Sequence, residues 1–292
     1  MATPPPLPPR ELAAYVLGGV DGEDWADAFD AMGRRLKREL LGVLPGGLPA
    51  GSRVLDFGCG SGRLLRQLLD EAATCEIHGC DIDAPSIGWV RQHLCPPLQA
   101  ELAPGRPPLP YADGCFDVVL AASVLSQLAD GWEAWLLELR RILAPGGHLV
   151  LTLMGPSCAP AIAGRELTDA EIGMSVHGFG RPWAAGGPMI LHGEWWVRAH
   201  YGRAFEVVDV RPGGGGGQDL YVLRRPADSV PVPTLGALAA PEPGEPRELS
   251  AARHDVNRLH ADYARLNASH DAYAAAYAAE AERVAELRAA LA

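Results

Sequence analysis

The chain has 292 residues, 48% hydrophobic and 21% charged, enough to enclose a sizeable core in one large or two small domains. Its net charge of −11, with Lys37 the only lysine among 25 basic residues, argues against a nucleic-acid partner, because a phosphate backbone is held by a basic face. No apolar run approaches the roughly 20 residues of a membrane helix, no C-x-x-C pair occurs among six cysteines, and nine histidines form no H-x-x-H pattern, so the expectation is a cytoplasmic protein with reduced thiols, no membrane and no metal.

The opening MATPPPLPPR has no apolar signal core and reads as an extended, Pro-rich leader. Over residues 23–44, Trp25, Phe29, Met32, Leu36, Leu40 and Val43 recur every three or four positions, which predicts an amphipathic helix ending at a Pro-Gly-Gly stop. Residues 1–50 thus form a leader and a cap helix. Short apolar runs predict strands over 53–57, 76–81, 98–102, 116–121 and 148–154. Helices are expected over 61–72, 85–93 and 131–143. Strands alternating with helices imply parallel crossovers and a doubly wound α/β sheet. Residues 155–190 read as loops with a short helix over 168–173. Two β-rich runs, 205–211 and 219–225, flank five glycines and read as an antiparallel hairpin with a floppy tip. A Pro-rich linker follows over 227–246. Beyond it, Leu249, Val256, Tyr263, His270, Tyr277, Val284 and Leu291 repeat every seven residues, with Leu259, Leu266, Tyr273 and Leu287 in the column three later. That heptad predicts a coiled-coil helix over 247–292 and a homodimer formed through it, with a single helix packed on its own domain as the alternative.

The turn VLDFGCGSGR lies between the first strand and the next helix. A dinucleotide site wants G-x-G-x-x-G, but the glycines here are Gly58, Gly60 and Gly62, with Arg63 at the sixth position. Asp56, two residues before Gly58, would repel a pyrophosphate and suits a ligand carrying positive charge. Asp81 ends the second strand 19 residues after Gly62, where an acid accepts both hydroxyls of a ribose. A ribose, no phosphate and a positive group together describe S-adenosylmethionine.

The runs VLDFGCGSG, GCDID, PPLPYADGCFDVVLAASVLSQL and ELRRILAPGGHLVLTL, in that order, resemble the class I S-adenosylmethionine-dependent methyltransferases, type 11/25-like, over residues 51–226. The resemblance implies a Rossmann-like seven-stranded sheet, parallel except for an antiparallel terminal hairpin. It implies that Asp56, Gly58, Cys59, Gly60 and Gly62 wrap the methionine end of S-adenosyl-L-methionine. Asp81 then takes the ribose, Ile82 lies against the adenine and Ser123 stands near the transferred methyl group. More narrowly, the chain resembles bacterial enzymes of glycan or secondary-metabolite pathways, with two departures: Gln127 and Met154 stand where histidines are frequent in that subgroup.

Methyl transfer from a sulfonium needs positioning more than activation, and a hydroxyl acceptor benefits from a base. His192 and His177 lie in the 155–200 insertion and are the candidate bases, with Phe179, Trp183, Trp195 and Trp196 as an aromatic acceptor pocket. The expected function is O-methylation of a small molecule or glycan. Two other readings stand beside it: a scaffold that binds the cofactor and oligomerises through its C-terminal helix, and a nicotinamide oxidoreductase, which Asp56 and Arg63 disfavour.

Overall fold

The computed structural model describes residues 5–17, 24–44, 46–178, 181, 187–243, 245, 263, 266, 269–270 and 272–284. Two compact units divide the chain, residues 1–246 and 247–292.

The first unit is built on seven strands in the order β3-β2-β1-β4-β5-β9-β8. They are β1 (Arg53–Phe57), β2 (Glu76–Asp81), β3 (Gln99–Leu102), β4 (Phe116–Ala121), β5 (Leu143–Leu153), β8 (Glu206–Gly215) and β9 (Gln218–Arg224). β1 through β5 are parallel, and β9 runs antiparallel to both β5 and β8. Alternate residues of each strand face opposite layers, as the period of two demands. Leu55, Val119, Ala121, Leu149 and Leu151 meet α4 (Trp132–Ile142) and α7 (Glu194–His200) through Trp135, Leu139, Trp196 and Val197. Val54, Val118, Leu120 and Val150 meet α2 (Trp25–Leu41) and α3 (Ala84–His93) through Leu36, Leu40, Ile87 and Val90. Chain order reverses at β1, between β2 and β4, so the crevice above the carboxyl ends of β1 and β4 is where an open α/β sheet takes a ligand.

Several expectations are corrected by tertiary contacts. The residues after the glycine turn form 3-10 turns at Leu65–Leu68 and Glu71–Ala73 rather than one α-helix over 61–72. Their arginines bind the leader: Arg66, itself buried, donates to the carbonyls of Pro5 and Pro6, both at 3.0 Å, and Arg63 to that of Val16 at 2.6 Å. The leader forms α1 (Arg10–Leu17), whose Ala13 packs against Phe29. The 155–190 stretch contains α5 (Ala159–Ala163), α6 (Asp169–Ile172) and a second sheet of β6 (Met174–His177) and β7 (Met189–His192). Thr168 and Glu171 close a capping box at the start of α6. The glycine-rich tip is tied rather than floppy, since Gly216 N–H donates to Glu39 at 2.7 Å and Gly213 N–H to Asp219 at 2.9 Å.

The Pro-rich stretch read as a linker is docked on the domain. Its α8 (Leu235–Ala239) offers carbonyls to Arg203, which donates to Leu238 at 2.9 Å and Ala240 at 2.6 Å. His200 Nδ1 donates to Leu238 at 2.8 Å, and Trp196 Nε1 donates to the buried Glu245 at 2.8 Å. Charged and aromatic groups outside the stretch thus decide its path, which Pro content alone does not reveal.

Of the second unit, residues 272–284 are helical. Of the heptad, Leu249, Val256, Leu259, Leu287 and Leu291 lie outside the described residues. Tyr273, Tyr277 and Val284 are exposed.

Helix α2 crosses so near the glycine turn that a Cβ built on Gly33 would stand 2.4 Å from the backbone oxygen of Arg63. A backbone atom in a packed core yields little. Gly33→Ala is therefore expected to destabilise the fold by about 1–3 kcal/mol, the usual range for overpacking, as measured by denaturant unfolding.

Candidate active site

β1 delivers Asp56 to the sheet's carboxyl edge, and the chain then turns through Gly58, Gly60 and Gly62, at φ of 77°, 51° and 83°. Only glycine takes these left-handed values without strain. Space is also short: a Cβ on Gly58 would stand 2.3 Å from Val124 Cγ2, and one on Gly60 2.3 Å from Val16 Cγ1. The turn is fastened to β2 by Gly58 N–H and Cys59 N–H, which donate to the Cys80 carbonyl at 2.8 and 3.1 Å.

Asp81 organises the same turn. Its Oδ2 accepts from Gly60 N–H at 2.7 Å and its Oδ1 from Asp83 N–H at 2.8 Å. Burial pushes its carboxyl up, opposed by these donors. Each oxygen keeps a lone pair, so the carboxylate still has room for a diol. Ile82, next in the chain, is 46% exposed and offers an apolar surface beside it. Asp83 caps α3 by accepting from Ser86 N–H at 3.0 Å.

Asp56 is 2% exposed, and its Oδ2 has no hydrogen-bond partner. Burial pushes its carboxyl up to about 7; Arg63 pulls it down and Asp81 pushes it further up. A buried acid with an unspent oxygen is costly unless a cation or donor meets it. The pair of acids around a glycine turn is complementary in charge and acceptor chemistry to a ligand such as S-adenosylmethionine, which carries both a cation and a ribose diol.

Ser123 follows β4 across the crevice. It is the one non-glycine among the described residues at positive φ, 63°. Its neighbour Val124 lies against Gly58, so the residues after β4 form a wall next to the glycine turn.

The other expected residues fall differently. Cys59 serves the turn, with its thiol buried, and burial beside Asp56 and Asp81 pushes that thiol well up. His192 is enclosed by aromatic rings, 5.5 Å from Trp196 and 6.3 Å from Tyr201 between centroids. Desolvation lowers its pKa to about 3, so it remains neutral and cannot draw a proton efficiently. Trp196 is likewise fully buried, against Trp132 and His200, and belongs to the core rather than to an acceptor pocket. Phe179 and Trp183 lie outside the described residues. His177 is partly exposed on β6, with Nε2 3.0 Å from Ser175 Oγ. Sequence reasoning missed Thr152, Gln218 and the contact of Val16 with the turn. Gln218, a polar residue directly after the glycine run, was the one available signal. Among the described residues, no cluster of His, Cys, Asp and Glu is arranged to hold a metal, and no helix is long and apolar enough to cross a membrane.

Residues 55–151 match the family model described as a methyltransferase domain. The chain is 36% identical over 109 residues to the demethylmenaquinone methyltransferase of Thermus thermophilus, covering 37% of this chain and 49% of that protein. It is 33% identical over 137 residues to the malonyl-[acyl-carrier protein] O-methyltransferase of Halorhodospira halophila, covering 44% of this chain and 43% of that protein. To the 27-O-demethylrifamycin SV methyltransferase of Amycolatopsis mediterranei it is 31% identical over 161 residues, covering 53% and 57%. The chain thus spans about half the length of these curated relatives. A chain in the complex of the Haloferax volcanii Trm112 methyltransferase activator with a methyltransferase shares the fold, with a TM-score of 0.52 at 17% identity over 76% of this chain and 100% of that one. Strand order and family match agree: residues 55–151 are similar to the methyltransferase domain, and the sheet that carries them has the strand order of the class I S-adenosylmethionine-dependent methyltransferase fold.

Proposed function

We propose that the protein transfers a methyl group from S-adenosylmethionine to a hydroxyl of a small molecule or glycan. The observation that carries the reading is the unpartnered buried carboxylate of Asp56 beside the diol-ready carboxylate of Asp81, across a turn that admits only glycine. The cofactor supplies an already activated methyl on a sulfonium. The chain's part is to bind and orient. Asp56 holds the ammonium, Asp81 the ribose, Ile82 the adenine face, and the wall after β4 borders the transfer site. Enclosure of His192 leaves His177 as the candidate base, since its ring is partly exposed. The net charge of −11 and the names of the three relatives favour a non-nucleic acceptor. Six free cysteines go with a cytoplasmic setting.

Full-length protein is expected to bind S-adenosylmethionine in calorimetry and to label a hydroxyl acceptor from a tritiated methyl donor, among sugar nucleotides, glycan fragments and phenolics. Binding without labelling of any acceptor would favour the cofactor-binding scaffold. The heptad supports a homodimer through residues 247–292. Removing them is expected to halve the mass seen by light scattering, and an unchanged mass would refute that interface.

A further inference from the structure

Three side chains from three strand ends close a hydrogen-bonded ring beside the glycine turn. Ser123 N–H donates to Thr152 Oγ1 at 2.8 Å. Thr152 Oγ1 donates to Gln218 Oε1 at 2.7 Å. Gln218 Nε2 donates to Ser123 Oγ at 2.8 Å. The direction is determined by burial. Thr152 is 1% exposed, and a flipped Gln218 amide would leave the Thr152 hydroxyl hydrogen unpaired in the core. Ser123 Oγ then keeps its hydroxyl hydrogen and one lone pair, Gln218 Nε2 its second hydrogen, and Gln218 Oε1 and Thr152 Oγ1 one lone pair each.

The ring is braced from outside. Gly215 must lack a side chain, because its Cβ would stand 2.4 Å from Thr152 Cγ2. Ser157 Oγ donates to the Gly217 carbonyl at 3.2 Å, and Gly216 is held by Glu39. The glycine run that looked like a loose hairpin tip thus carries Gln218 over the carboxyl ends of β4 and β5. The ring also holds Ser123 in its left-handed backbone conformation, and such strain persists where neighbours over-determine it. Val124, the next residue, lies against Gly58.

We propose that Gln218 and Thr152 are positioning residues that hold Ser123 as the wall of the cofactor site at its sulfonium end. This rests on the methyltransferase reading above. The ring contains no charged group, so it presents oriented dipoles to a cation without trapping it in an ion pair, and it leaves the Ser123 hydroxyl hydrogen for an oxygen of the acceptor.

The test uses full-length protein and two ligands that differ in the charge at sulfur: S-adenosylmethionine, a sulfonium, and S-adenosylhomocysteine, a neutral thioether. Both carry the ammonium and ribose, so effects at Asp56 and Asp81 cancel in their affinity ratio. Gln218→Glu keeps the ring's shape, since its two oxygens can accept from Thr152 and Ser123, and adds a negative charge there. At pH 8.5, and again at pH 6.5, it is expected to shift the ratio about tenfold toward the sulfonium, since both values lie above the ordinary glutamate pKa of about 4.3. Gln218→Met, which opens the ring without adding charge, is expected to shift the ratio slightly toward the neutral thioether, opposite in sign to Gln218→Glu. Should the Glu variant not fold, Ser123→Asp carries charge to the same place, and Asp tolerates this backbone conformation. A folded, charged variant with the wild-type ratio at both pH values overturns the placement. Failure of wild type to bind either ligand overturns the cofactor reading instead.

Discussion

Asp81→Ala is expected to weaken S-adenosylmethionine binding by about a hundredfold or more in calorimetry, because two hydrogen bonds to a charged carboxylate contribute about 1.5–3 kcal/mol each. The carboxylate has two tasks, and the substitution removes both. It takes the diol, and it holds Gly60 N–H and Asp83 N–H in place. Asp81→Asn separates them. Its single carbonyl oxygen can still accept one N–H, so the fold is expected to survive while the diol loses one acceptor. Binding in the Asn variant should fall between wild type and Ala. Equal binding by wild type and Ala would remove Asp81 from the site.

The second large effect is a pH dependence with opposite signs for binding and stability. The Asp56 carboxyl titrates at about 7 in the folded chain, against an ordinary value near 3.8. An ammonium ligand needs the ionised form, and its own amino group is still protonated up to about pH 7.7. Binding should therefore strengthen as pH rises toward 7, by about twentyfold between pH 5.5 and 7.5, with a proton released on binding below 7. Stability runs the other way. The folded state holds a proton that the unfolded state has lost, so this group's contribution is greatest below about pH 4 and declines as pH rises through 7. Asp56→Asn is accordingly expected to raise the melting temperature at pH 8 while weakening binding at every pH and flattening its pH profile. A variant that loses stability at pH 8, or keeps the wild-type pH profile of binding, would contradict the assignment. A buried acid that harms the empty fold and is neutralised by its ligand is the usual exchange of stability for function.

How much of this was legible in the sequence follows from the range of the physics involved. Short apolar runs in 53–57, 116–121 and 148–154 specify buried strands because run length and composition are local properties. A turn needing three glycines at positive φ is equally local, and so is a carboxylate at a strand's end. Hence the parallel sheet, the hairpin return and the positions of Asp56 and Asp81 at strand ends could be read from residues alone, and the order of strands sets the crevice above β1 and β4 where an open α/β sheet takes a ligand.

What the sequence left undetermined depends on partners distant in the chain. His192 and His177 look alike in sequence, each in an aromatic loop. Tertiary packing separates them, since α7 and Tyr201 close over His192 and desolvation holds it neutral. The run after Gly62 has helical periodicity, but its arginines find carbonyls in the leader and the chain winds into 3-10 turns. The Pro-rich stretch has a linker's composition, yet His200, Arg203 and Trp196 fasten it down. Five glycines encode only permissiveness, until Thr152 fills the space beside Gly215 and Glu39 accepts from Gly216 N–H. By itself the sequence determined the sheet, the glycine turn and the two acids, because those rest on local composition and backbone geometry. Only the tertiary structure decided which histidine stays reachable and which side chains hold Ser123, because burial and hydrogen-bond closure are set by residues 29 to 95 positions away.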